Sequence, residues 1–201
     1  MRVLPLTSAH HLPAAVEAVR EVVTAHGLVV LPTETFYGLA VNPRDPEAVA
    51  KVFAVKGRDT AKALLVVAAN FRQAEELAII PELWRCRLQK VWPAPLTVVF
   101  QARQALPGSG HTVAVRVPAV DLLRSLLAEV GPLTATSANL SGQAPAQTVQ
   151  ELGPLSQRVD LILDGGKTPG GLSSTLLDAT VTPPRVLRQG AFAVPVEWLR
   201  G

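Results

Sequence analysis

Residues 28–31 form an unbroken apolar run that ends in Pro32-Thr33-Glu34-Thr35-Phe36-Tyr37-Gly38-Leu39. The run reads as a buried strand. Two hydroxyls, a carboxylate and a phenol then crowd into the five residues before Gly38. A strand that only has to bury itself does not end this way, and strand ends of open α/β sheets are where ligands are held. The plainer alternative is a turn in which Pro32 fixes φ and the threonine hydroxyls bond nearby backbone.

The rest of the chain alternates between helix and strand patterns. A helix is expected over residues 13–26, with Pro13 in its first turn, Gly27 at its end, and Val16, Val19, Val22 and Val23 on one face. A second short strand follows over 37–41. Asp45-Pro46 caps a helix running to about residue 55, whose apolar face is Val49, Val52 and Phe53. Further strands are expected at 63–68 and 96–102, with helices at 70–78 and 81–91 between them and Trp92-Pro93-Ala94-Pro95-Leu96-Thr97 as a rigid connector. Gly108-Ser109-Gly110 reads as a flexible loop. Residues 112–117 alternate, with Val113, Val115 and Val117 on one face and Thr112, Ala114 and Arg116 on the other. A helix over 121–130, strands at 133–135, 159–163, 173–178 and 185–188, a weak helix at 149–152 and a terminal one at 195–199 complete the pattern. Two pairs of strands follow each other directly, so the expected fold is α/β with a twisted, mixed open sheet and flanking helices.

At 201 residues, without a long linker, the chain reads as a single domain, 1–201, able to bury a sizeable core. It is 48% hydrophobic and 17% charged, which excludes a disordered chain. No apolar run reaches membrane-spanning length, and the N-terminus is broken by Pro5 too soon for a signal sequence, so a cytoplasmic location is expected. One cysteine excludes an internal disulfide and a cysteine zinc cluster. The four histidines lack ligand spacing, so no metal site is expected. The net charge of +3 permits phosphate-bearing partners without requiring them. There is neither a P-loop nor a nucleophile elbow.

Four other stretches carry candidate chemistry. Lys56-Gly57-Arg58, with Lys62, could cradle a polyphosphate, or could be cations complementing a helix C-terminus. Arg116, on the polar face of a strand, needs a partner, either a ligand carboxylate or an internal acid. Thr136-Ser137-Ala138-Asn139-Leu140-Ser141-Gly142 offers short hydroxyls and backbone amides suited to anions, or is an Asn/Ser turn. Ser173-Ser174-Thr175 opens one strand and Arg188-Gln189-Gly190 closes another.

Taken in order, Pro32–Leu39, Lys56-Gly57-Arg58, Trp92–Thr97, Val115-Arg116-Val117-Pro118, Ser137–Gly142, Ser174-Thr175 and Leu187-Arg188-Gln189-Gly190 resemble the YrdC/TsaC family of threonylcarbamoyl-AMP synthases, in its short single-domain form. The resemblance implies a twisted open sheet around a concave basic cavity. It implies that L-threonine, bicarbonate or CO2, and ATP become threonylcarbamoyl-AMP and pyrophosphate, and that the product feeds a separate tRNA-modifying transferase. Carried over by motif, Thr35, Arg116, Ser137 and Ser174 would hold threonine, with Thr33 beside them. Arg58, Lys62, Thr112, Asn139, Gln147 and Arg188 would hold ATP, and Lys56 and Arg58 would serve catalysis by balancing charge. Mg2+ would arrive with the nucleotide, without a dedicated protein site, and no protein nucleophile is needed. The sequence departs from the family pattern at Asp59, Val67 and Ala94. The rival readings are an RNA-binding module of the same fold, holding tRNA or double-stranded RNA without chemistry, and a carbamoyl-transferring relative. The first would show affinity falling steeply with salt and no threonine-dependent pyrophosphate release.

Overall fold

The computed structural model describes residues 1–57, 64–140 and 142–200. The chain runs through β1 (Arg2–Pro5), α1 (Leu12–Thr24), β2 (Val29–Pro32), β3 (Tyr37–Ala40), α2 (Pro46–Lys56), β4 (Leu65–Val67), α3 (Phe71–Glu75), β5 (Ala78–Ile79) and α4 (Glu82–Gln89). It continues through β6 (Leu96–Leu106), β7 (Gly110–Arg116), α5 (Asp121–Val130), β8 (Leu133–Thr134), β9 (Thr136–Ser137), β10 (Leu161–Asp164), β11 (Thr175–Asp178) and β12 (Arg185–Arg188).

The mixed α/β class is as expected, with the strands divided between two mixed sheets. The first has the order β1-β10-β2-β3-β9, and the second β12-β11-β6-β7-β4-β8 with β5 paired to β6. In β2, Val29 and Leu31 pack with Val16, Val19, Leu123 and Leu126, while Val30 faces Val49, Val52 and Leu155. Helices α1 and α5 thus cover one face, and α2 with the 150s segment covers the other. Coverage on both faces is why residues 28–31 show no polar alternation.

Local chemistry fixes the element ends. The Asp45 carboxylate accepts from the Glu47 and Ala48 amides at 3.0 and 3.1 Å, and Pro46 opens α2. Gly57 ends it at φ +58°, a left-handed cap that favours glycine. The alternation read over 112–117 holds: Val113, Val115 and Val117 enter the core, leaving Ala114 and Arg116 on the opposite face.

Several expectations shift. The loop 108–110 is a hairpin turn between β6 and β7, with Ser109 N donating to Leu106 O at 3.0 Å. Gly108 has φ +69°, and a Cβ there would lie 2.6 Å from the Phe53 ring, so the turn is seated against α2. Pairing with β7 carries β6 beyond residue 102 to Leu106. Ala78, expected to end a helix, pairs with β6 instead, together with Ile79 (Ala78 with Ala102, Ile79 with Gln101). The 150s segment is a 3-10 helix, Gln150–Arg158, broken at Gly153 with Pro154 after it. The terminal helix is a 3-10 turn, Val196–Trp198, whose Trp198 meets Trp84 edge-on at 5.6 Å.

β8 and β9 belong to different sheets and are separated by Ala135 alone. Here the chain crosses from one sheet to the other. Thr134 N donates to Val41 O at 2.9 Å and Ala135 N donates to Leu65 O at 2.8 Å, so the crossing bonds to both sides. The Thr134 hydroxyl, 1% exposed, accepts from Val41 N at 3.0 Å.

Candidate active site at the seam of the two sheets

An open cleft with a cavity volume of about 190 Å³ lies over this seam. The first sheet contributes Thr33, Thr35, Phe36, Tyr37 and Gly38. The second contributes Leu65, Ala114, Arg116, Ser173, Ser174, Leu176 and Arg188, and the crossing adds Ala135, Thr136 and Ser137. Segments more than 150 residues apart therefore share one concave surface.

The β2–β3 turn is organised by Thr33. Its hydroxyl donates to Phe36 O at 2.7 Å and accepts from the amides of Thr35 and Phe36 at 3.2 and 3.3 Å. The Thr35 hydroxyl lies 3.1 Å from that of Thr33. Thr33 is thus committed to the turn, and Thr35 is the hydroxyl the turn presents. A strap over residues 165–170 buttresses the turn from outside. The Tyr37 phenol donates to Gly166 O at 2.6 Å, Gly165 N donates to the phenol at 3.1 Å, and Gly170 N donates to Thr35 O at 2.7 Å. Burial pushes the Tyr37 phenol up to about 12, against the Gly165 amide and helped by the Asp164 charge, so it stays protonated.

Arg116 is the centre of the charged wall. It is 3% exposed, and its Nη1 lies 3.2 Å from Glu34 Oε1. Arg116 Nε and both Glu34 oxygens are buried without a hydrogen-bond partner among the described residues. Burial lowers the Arg116 pKa, the Glu34 charge raises it, and the Arg188 charge lowers it, so two guanidinium groups face the same space. Arg188 donates through Nε and Nη2 to Ser174 O at 3.2 and 2.9 Å, and burial lowers its pKa too. The Ser174 hydroxyl lies 2.9 Å from that of Thr97.

Lys56, at the end of α2, is 5% exposed. Its ammonium donates to Ser137 O, and to Asn139 O and Asn139 Oδ1 at 3.0 and 3.1 Å. Asn139 Oδ1 also accepts from Ser137 Oγ at 2.6 Å, and Asn139 Nδ2 donates to Gln143 O at 2.6 Å. Lys56 and Asn139 thus build the turn behind Ser137.

Of the residues singled out from sequence, Thr33, Thr35, Arg116, Ser137, Ser174 and Arg188 line one cleft. Lys56 and Asn139 are bonded to Ser137 without being among the lining residues. Thr112 sits two positions before Ala114 on β7, outside the lining. Gln147 is also outside it, in the loop whose carbonyl accepts from Thr168 N at 2.9 Å. Arg58 and Lys62 lie outside the described residues. Glu34 was missed as a site residue, although a lone acid between two threonines at a strand end was a visible signal. Among the described residues, no three His, Cys, Asp or Glu side chains gather where they could hold a metal ion, and no helix is long and apolar enough to cross a membrane.

Comparison with known proteins places this geometry. Residues 21–190 match the family Sua5_yciO_yrdC, described as Telomere recombination. The threonylcarbamoyl-AMP synthase of Pyrococcus abyssi is 38% identical over 172 residues, covering 82% of this chain and 51% of that protein. That of Halorhodospira halophila is 38% identical over 173 residues, covering 83% and 86%. The chain spans about half the length of the Pyrococcus abyssi and Bacillus subtilis relatives, 51% and 50%. The crystal structure of P. abyssi Sua5 complexed with L-threonine superposes with a TM-score of 0.85 at 34% identity, over 94% of this chain and 58% of that one. E. coli YciO shares the fold, with a TM-score of 0.78 at 22% identity over 94% and 93%. With a family match over most of its length, and with its strand-end motifs gathered in one cleft, this chain belongs to the Sua5/YciO/YrdC family.

Proposed function

We propose that the chain is an L-threonylcarbamoyladenylate synthase, acting in the cytoplasm, with residues 1–201 as one catalytic unit. It makes threonylcarbamoyl-AMP and pyrophosphate from L-threonine, bicarbonate or CO2, and ATP. The observation that carries this reading is Arg116: a buried guanidinium whose Nε has no hydrogen-bond partner among the described residues, beside the cleft hydroxyls Thr35, Ser137 and Ser174. Buried donors are ordinarily satisfied, so one left open at a cleft suits an incoming acceptor such as an amino-acid carboxylate. The similarity to a protein crystallised with L-threonine supports the same assignment.

In this reading the threonine amine attacks CO2, loses a proton and becomes an N-carboxylate. A carboxylate oxygen then attacks the α-phosphorus of ATP, the bond to the β-phosphate oxygen breaks, and pyrophosphate leaves. The protein's part is to position the reactants and stabilise charge, which is worth up to about 7–11 kcal/mol in well-oriented intramolecular reactions. Arg116 takes the α-carboxylate and Thr35 the amino-acid side. Thr33 shapes the turn. Arg188, with Arg58, Lys62, Thr112 and Gln147, is assigned to the nucleotide on sequence grounds. Lys56 and Asn139 act by holding the turn that carries Ser137. Mg2+ would come with the triphosphate, held by phosphate oxygens and water. The product then passes to a tRNA-modifying transferase.

The test is pyrophosphate release from the purified protein. Release that needs threonine, bicarbonate and ATP together supports the proposal. No release with all three present, or release indifferent to threonine, overturns it. Retention of tRNA or double-stranded RNA without release would favour the binding-module reading instead.

A further inference from the structure

We propose that Glu34 is a positioning residue for amino-acid selection: it holds Arg116 by charge and keeps the subsite one positive charge short of an oxyanion trap. The inference rests on the proposed function and concerns the same cleft. A buried ion pair kept for stability has its donors and acceptors paired, because the desolvation of each ion must be offset by hydrogen bonds as well as by attraction. This pair does not. Glu34 Oε1 lies 3.2 Å from Arg116 Nη1, yet both carboxylate oxygens and Nε lack a hydrogen-bond partner among the described residues. The Glu34 side chain is 13% exposed and is not among the cleft-lining residues, so it acts through Arg116 and not on the reactants.

The second observation is the charge count. Arg116 and Arg188 line the same cleft, and the Arg188 charge works against that of Arg116. Glu34 is the acid whose charge favours Arg116. Among the described residues, and before a nucleotide engages Arg188, these two guanidinium groups and the Glu34 carboxylate leave a single surplus positive charge, which matches the single carboxylate of a zwitterionic amino acid. Without Glu34 the surplus is two, which suits a phosphate or sulfate. With Glu34 drawn to Nη1, the Nε side of the fork is left without a hydrogen-bond partner among the described residues, and that is the edge a carboxylate grips best.

The test compares wild type with Glu34→Gln, reading the KM for threonine, the KM for ATP and inhibition by inorganic phosphate. The threonine KM is expected to rise about tenfold, the size of one lost charge-assisted contact, with the ATP KM within about twofold. Phosphate is expected to become a competitor of threonine at least about fivefold stronger than in wild type. A role confined to stability would lower Tm without tightening phosphate. Unchanged phosphate inhibition, or equal rises in both KM values, overturns the proposal. If Glu34→Gln does not fold, Glu34→Asp carries the test: it keeps the charge one methylene further away, so threonine KM should rise with phosphate inhibition still weak. An unchanged threonine KM there overturns it. Wild-type release without threonine dependence would instead sink the proposed function itself, so the two failures are distinguishable.

Discussion

Replacing Arg116 by lysine separates charge from geometry. Arg116→Ala would strand the Glu34 carboxylate, 13% exposed and 3.2 Å from its only described cation, at a cost of about 3–5 kcal/mol. Lysine keeps a cation beside Glu34, so the fold is expected to survive. What it lacks is the planar fork, and with it the Nε donor that has no hydrogen-bond partner among the described residues. Loss of one charge-assisted hydrogen bond costs about 1.5–3 kcal/mol, or about 10- to 150-fold in the KM for threonine. The KM for ATP should move by less than about threefold, because the carboxylate contact is not shared with the nucleotide. The assay is pyrophosphate release with one substrate varied and the others saturating, alongside thermal unfolding. Equal rises in both KM values, or a threonine KM unchanged in a folded protein, would refute the carboxylate role.

Thr35→Val is expected to raise the threonine KM about tenfold with little change in Tm, while Thr33→Val removes three turn bonds and should lower stability by about 1–3 kcal/mol; the opposite pattern in paired unfolding and kinetic runs would reverse their roles. Thr134→Val conserves volume but leaves the buried Val41 amide unpaired, so urea unfolding should show a loss of about 1–2 kcal/mol at unchanged m-value, and wild-type stability would show the seam bond to be dispensable. His26, at φ +55°, lies 2.5 Å from the Asp45 cap, and the hydrogen bond and charge of Asp45 raise its pKa above 6.5. Its stabilisation is full below pH 6.5 and is lost as pH rises through the folded value. On Asp45, burial works upward but the His26 bond and the Ala48 and Glu47 amides prevail, so that contribution is lost only as pH falls below 3.8. His26→Asn, which tolerates the left-handed backbone, should therefore lower Tm more at pH 6 than at pH 9, and an equal loss at both would exclude the titration.

Much of this was legible in the chain because the physics was local. The cap at Asp45-Pro46, the stop at Gly57, the alternation over 112–117 and the helix over Asp121–Val130 each depend on neighbours a few residues away. Thr35, Arg116, Ser137, Ser174 and Arg188, grouped from sequence by the family resemblance of their motifs, line one cleft near strand ends. What was hidden depended on distant partners. Residues 78–79 have no strand signature of their own and pair because the edge of β6 is open to them. The passage between the two sheets at Ala135 takes a single residue, where a short strand leaves one ladder and enters another. Thr33 and Thr35 look alike in sequence, and only the fold of the turn shows which hydroxyl is already used. Glu34 was hidden because its partner lies 82 positions away on another strand.

The crossing at Ala135 sets the two walls of the cleft within a single residue of each other along the chain. Those walls hang from separate ladders, and Thr134 and Ala135 bond to Val41 and Leu65 on either side. A molecule gripped by Arg116 on one wall and Thr35 on the other would be a clasp between two plates, set where the backbone already stitches them together.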